Sequence, residues 1–93
     1  MDAVAVQVRI AGRVQGVGYR YWTVEQARAR HLSGWVRNRR DGSVEALFAG
    51  PVEVVEAMIA ACHEGPLGAR VTDLRHSPAE PPNESGFRQL PTE

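Results

Sequence analysis

The chain has no lysine. Every basic side chain is an arginine, which keeps its charge at any working pH and can grip an oxyanion through two parallel hydrogen bonds. Cysteine is almost as scarce. The single thiol, Cys62, cannot form an internal disulfide, so no covalent framework holds the fold, which fits a reducing compartment without demanding one. No apolar run approaches the roughly 20 residues that span a bilayer, and the opening segment MDAVAVQVRI alternates apolar and polar residues in place of a signal peptide. The expected location is the cytoplasm, with no membrane partner. Low-complexity tracts are missing too, as are internal repeats beyond two similar strand-helix-strand halves.

What is present is the composition of one small globular domain. With 93 residues, 43 % hydrophobic and 24 % charged, the chain can build one core but not two, so residues 1–93 are read as a single domain. The formal net charge is zero, yet the two halves differ sharply. Residues 1–40 carry eight Arg against Asp2 and Glu25, a net of +6, and residues 41–93 carry three Arg against nine acids, a net of −6. An anion is therefore drawn towards whatever the first half builds.

Val4, Val6, Val8 and Ile10 alternate with Ala5, Gln7, Arg9 and Ala11, the period-two pattern of a strand with one buried face. The glycine-rich GRVQGVG follows. Residues 21–32 then read as a helix with Trp22 or Tyr21, Val24, Ala27 and Leu32 inward, ended by Ser33-Gly34. Residues 35–38 and 44–49 pair as a hairpin around Asp41-Gly42, the second strand alternating Val44, Ala46 and Phe48 with Glu45 and Leu47. Pro51 opens a second helix where a missing N–H costs nothing, and Val52, Val55, Ile59 and Cys62 recur at helical spacing until Gly65-Pro66. Residues 69–75 read as a further strand with Val71 and Leu74. Residues 78–85, rich in Pro, Glu and Ser, read as a loop, and 86–90 leave room for a short edge strand.

The order is strand, helix, strand, strand, helix, strand. That predicts an α+β, ferredoxin-like split β-α-β sandwich (βαββαβ), an antiparallel sheet with both helices on one face and space for a short C-terminal edge strand. The first two strands run the same way, so the loop after the first and the end of the second share one edge of the sheet.

Val14-Gln15-Gly16-Val17-Gly18-Tyr19-Arg20 lies between a strand and a helix N-terminus. Gly16 and Gly18 permit backbone angles closed to other residues, so successive N–H groups can turn inwards as a nest for oxygen anions. The helix end adds partial positive charge and Arg20 a full one. Alone, such glycines more often mark a tight turn. Asn38 adds context: in a regular strand it shares the helix-facing side of Val36 and sits at the edge that carries the loop, although Asn at a strand end is usually a turn former.

Together these residues resemble the acylphosphatase family. The match comprises GRVQGVGYR at 12–20, GWVRNRRDGSVE at 34–45 with eighteen positions from Arg20 to Asn38, and the weaker GPLGARV at 65–71. The resemblance spans nearly the whole chain. It implies a monomeric hydrolase that cleaves the carboxyl-phosphate bond of small acyl phosphates without metal, cofactor or covalent intermediate. Arg20 and the backbone of Gln15, Gly16, Val17, Gly18 and Tyr19 would bind the phosphate, Asn38 would place the attacking water, and inorganic phosphate or sulfate would be a site ligand.

Three departures stand out. Tyr19 occupies a position where Phe is usual, tolerable if its hydroxyl reaches water. Arg30-His31 replaces a common Leu-Gly pair, so His31 is expected to adopt a left-handed cap at a cost of roughly 1 kcal/mol. The tail 88–93 lacks an aromatic ending, which bears on any support it gives Arg20. Elsewhere, Cys62 is expected in the core, and with His63 alone it makes no metal site. His31 and His76 are expected to be exposed, and Arg37, Arg39 and Arg40 to form a solvated or anion-steering surface.

Two other functions use the same element order. A binding module could hold phosphate without turnover, although both Arg20 and Asn38 are present. An RNA-binding domain needs aromatics on the open sheet face, where this chain offers Ala5, Gln7 and Arg9 on one strand and Glu45 and Leu47 on another. No nucleic-acid partner is expected.

Overall fold

The structure, a computed structural model, describes residues 3–93. Its elements are β1 (Ala3–Arg13), α1 (Tyr19–Ala29), β2 (Ser33–Asn38), β3 (Val44–Pro51), α2 (Val52–Glu64), β4 (Arg70–Pro78) and β5 (Phe87–Gln89). The strands form one sheet in the order β4-β1-β3-β2-β5. β1 and β2 each pair antiparallel with β3 and therefore run the same way, as the split β-α-β reading requires.

The sheet is not wholly antiparallel. β5 lies parallel to β2, with Gly34 opposite Phe87 and Val36 opposite Gln89. β4 is at one edge and β5 at the other, so residues 79–86 carry the chain across the molecule. A strand that arrives by crossover is not held to the antiparallel pairing that a hairpin imposes.

The alternation of β1 sends Val8 and Ile10 towards the helices, where they meet Val36, Val44, Ala46 and Phe48 from the sheet and Tyr19, Ala27, Val55, Met58 and Cys62 from the helices. Removing this apolar surface from water, at about 25 cal/mol per Å², holds both helices to the one face. The other face carries a smaller cluster of Ala5, Leu47 and Ala49, packed by Trp35 and Ala79. Among the described residues no helix is long and apolar enough to cross a membrane.

Helix α1 begins two residues before the expected 21–32 span, because Gly18 already provides the left-handed N-cap, and it stops at Ala29, short of the left-handed His31. Its buried row is Tyr19, Thr23 and Ala27. Thr23 is tolerated there because its hydroxyl donates to the Tyr19 carbonyl at 2.8 Å. Tyr21, a candidate for the inward face, is 67 % exposed. His31 takes up the left-handed conformation, with φ of 58°. β4 runs on to Pro78, which the expected 78–85 loop had included; Val6 pairs with Pro78, and an edge strand accepts proline where a central one does not.

Candidate active site

The loop between β1 and α1 takes its shape from Gly16 and Gly18, whose φ values are 76° and 77°. A residue with a side chain would incur roughly 1–2 kcal/mol at each, and the demand is conformational, since an added Cβ would meet nothing within 4 Å. The Trp22 N–H is the first to close on the helix, donating to the Gly18 carbonyl at 3.0 Å. The N–H groups of Tyr19, Arg20 and Tyr21 come before it and have no intrahelical acceptor. No acidic residue occupies the first turn, so the positive end of the helix is not neutralised from within it.

These groups border a cleft of about 280 Å³, with Gln15, Gly16, Gly18 and Arg20 on the loop and helix side and Asn38 on the sheet side. Arg20 is half-buried and makes no ion pair among the described residues. Asn38 ends β2 opposite Val44, on the helix-facing side, and is 8 % exposed. Its Oδ1 is buried and has no hydrogen-bond partner among the described residues. Buried polar atoms are satisfied in the great majority of cases, so an acceptor left free beside an anion-shaped loop is suited to hold a donor such as water.

The remaining loop residues contribute differently. The Gln15 side chain is committed to structure: Nε2 donates to the Arg39 carbonyl at 2.8 Å and the Ser43 carbonyl at 2.9 Å. Only its backbone is free for an anion. Val17 packs against the core and does not line the cleft. The Tyr19 hydroxyl does not reach water, the condition on which tyrosine was expected to be tolerated there. The side chain is buried, and the hydroxyl donates to the Cys62 carbonyl at 2.6 Å, in the last turn of α2, where carbonyls lack intrahelical donors. Burial, with the neighbouring Cys62 thiol adding to it, holds the phenol well above the ordinary tyrosine range. Burial likewise pushes the Cys62 thiol up to about 12, against the opposing Tyr19 hydrogen bond and the Arg30 charge.

The arginines flanking Asn38 are not all the solvated surface expected of them. Arg37 Nε donates to Glu45 Oε1 at 2.9 Å, Arg39 lies 3.4 Å from the same oxygen, and Gln7 bonds the other oxygen. The Glu45 carboxylate is buried on the open face, so cross-strand partners gather around it. The Arg37 guanidinium also stacks over Trp35, 4.7 Å from the ring centre. The turn itself is an Asx turn: Asp41 Oδ1 accepts from the Ser43 N–H at 2.9 Å and its hydroxyl at 2.6 Å. These two bonds, then Arg9 and Arg39, hold the Asp41 carboxyl below its ordinary range.

Tyr21 and Gln89 also line the cleft and were not foreseen there. The exposure of Tyr21 follows from the earlier helix start. Gln89 arrives on β5, whose extension pairs the Leu90 N–H with the Val36 carbonyl and the Glu93 N–H with the Asn38 carbonyl. The tail thus supports the backbone of Asn38. A larger depression of about 560 Å³ borders Arg28, His31 and Arg88. It lies at the C-terminal end of α1, where helix carbonyls disfavour anions, and Arg88 is already paired with Glu84.

A family profile described as Acylphosphatase matches residues 6–89. An acylphosphatase of Rhodospirillum rubrum is 60 % identical over 85 residues, which cover 91 % of this chain and 93 % of that protein. Among solved structures, an acylphosphatase from Coxiella burnetii superposes with a TM-score of 0.91 at 28 % identity, covering 96 % of this chain and 94 % of the other. One from Bacillus subtilis gives 0.88 at 34 % identity, covering 94 % and 98 %. The ferredoxin-like fold is common to all three chains.

Proposed function

The chain belongs to the acylphosphatase family and is a hydrolase of acyl phosphates; from that premise we propose how its cleft performs the reaction. Arg20 and the backbone N–H groups of residues 15–20 hold the phosphate, and Asn38 Oδ1 accepts a hydrogen bond from the attacking water. The observation that carries this reading is that Asn38, its buried Oδ1 left without a partner among the described residues, lines the same cleft as Arg20 and the first residues of α1.

The water oxygen forms the new bond to phosphorus while the bond to the acyl oxygen breaks, and the carboxylate departs with the electron pair. A carboxylic acid has a pKa of about 4, so the leaving group needs no general acid. The transition state is loose, with charge spread over the equatorial oxygens, where fixed N–H donors and a guanidinium act best. Asn38 orients the water but has no basic group. The residues lining the cleft include no carboxylate, imidazole, amine or thiol that could serve as a base, so the water's proton passes to a phosphate oxygen of the substrate.

The protein acts as a cytoplasmic monomer without metal or cofactor, and inorganic phosphate or sulfate competes at the same site. Phosphate release from acetyl phosphate and benzoyl phosphate tests the assignment, with Arg20→Ala and Asn38→Ala alongside. Asn38→Ala is expected to lower kcat by about 100-fold or more while leaving inhibition by phosphate nearly intact, whereas Arg20→Ala weakens both. Tight phosphate binding without turnover in the parent protein would instead mark a binding module.

A further inference from the structure

Phosphate chemistry uses only part of the cleft. A water's share of liquid volume is about 30 Å³, so about 280 Å³ is more than one phosphate and one attacking water fill. In-line displacement sends the leaving group out opposite the water. The acyl group must therefore leave on the side of the phosphate away from the water, into the part of the cleft that Asn38 does not border.

Tyr21 borders the cleft from α1. It follows Arg20 in the first turn of α1, lines the cleft and is 67 % exposed. Among the described residues it is one of two large apolar side chains left in water; the other, Leu67, does not line the cleft. Its ring takes part in neither of the two aromatic pairs, Tyr19 with Trp22 and Phe48 with Phe87. Residues with better helix propensity would suit an exposed helical position, so nothing in the fold itself calls for an aromatic there.

The geometry points to Tyr21 as the platform for the acyl group of the substrate, selecting acyl phosphates whose acyl part is flat and largely apolar. An aromatic ring offers such a group an offset-stacked or edge-on contact at low entropic cost. This inference rests on the acyl-phosphate reading of the cleft.

The test compares kcat/KM for benzoyl phosphate and acetyl phosphate in the parent protein, Tyr21→Ala and Tyr21→Phe. Tyr21→Ala is expected to lower the benzoyl-to-acetyl ratio about fivefold, and Tyr21→Phe, which keeps the ring, to hold the ratio within about twofold of the parent. A purely structural role would depress both substrates together and leave the ratio in place; that result, or no change at all, overturns the inference. Failure of the parent protein to turn over either substrate would overturn the activity itself and this inference with it.

Discussion

Gln15 and Ser43 are joined by a 2.9 Å hydrogen bond from the Gln15 side-chain amide to the Ser43 backbone carbonyl, and the same nitrogen reaches the Arg39 carbonyl at 2.8 Å. One side chain of the anion loop thus grips both ends of the turn that follows Asn38. Phosphate and water would be held by different segments of the chain, so in-line geometry depends on what fixes the distance between them.

Replacing Gln15 with Ala removes that clamp and leaves the backbone N–H groups of the loop. Misplacing a reacting group by about 1 Å can cost on the order of 100-fold, so kcat for acetyl phosphate is expected to fall by about ten- to 100-fold. The inhibition constant for inorganic phosphate should move much less. Steady-state kinetics with phosphate as competitor separates the two, and an equal loss in both would mean that the side chain binds the anion directly.

Tyr19 gives a stability prediction instead. Its hydroxyl contributes one buried hydrogen bond, to the Cys62 carbonyl, and its side chain is almost wholly buried. Tyr19→Phe is expected to cost about 1 kcal/mol, a fall in Tm of about 4–8 °C for a chain of this size. Activity at 25 °C should stay within about twofold. Calorimetry beside an activity assay decides it, and a large kinetic loss without a change in Tm would place the hydroxyl in the reaction.

Much of this arrangement was legible in the sequence for identifiable reasons. Val4 to Ile10 alternate cleanly, so β1 follows from local pattern; β3 is buried on both faces from Val44 to Ala49, and the Asp41-Gly42 turn signal before it made it legible. That one cleft would bring Gly16, Gly18, Arg20 and Asn38 together was legible because these residues are specific in type and spacing. Hidden features depend on contacts that periodicity does not carry. Thr23 is buried through a hydrogen bond to its own helix, which hydropathy cannot register. β5 docks parallel to β2 after a crossover, so nothing local announces that Gln89 lines the cleft. Arg37 sits directly opposite Glu45 in the β2–β3 register, so its pairing emerges only once the hairpin is drawn residue by residue.

His31 holds φ at 58° although it is not glycine. The strain of a side chain in that region is roughly 1 kcal/mol, partly offset in a glycine variant by the greater freedom of the unfolded chain. His31→Gly is therefore expected to stabilise the protein by about 0.5–1 kcal/mol, raising Tm by several degrees. Urea denaturation at neutral pH checks the sign. A less stable variant would show that the imidazole makes a contact worth more than the strain it imposes.

Cys62 and Tyr19 together set how the fold responds to alkali. The unfolded thiol releases its proton near the ordinary value of 9.0, while burial holds the folded thiol up to about 12. The Tyr19 phenol is displaced in the same direction from its ordinary 10.0. Both groups are protonated in either state below pH 9, and their contribution is then fully present. Above it the unfolded chain binds fewer protons than the folded one, so stability falls as pH rises towards 12, by about 1.4 kcal/mol per pH unit for each fully displaced proton. Cys62→Ala removes one of the two protons from this linkage, although the cavity it leaves lowers stability at every pH. Urea melts between pH 8 and 11 are therefore expected to show a shallower decline for Cys62→Ala than for the parent protein, from a lower starting value. Parallel slopes would mean that the thiol ionises as readily in the folded chain as in the unfolded one, and rapid labelling of native Cys62 by a thiol reagent at pH 8 would agree with that failure.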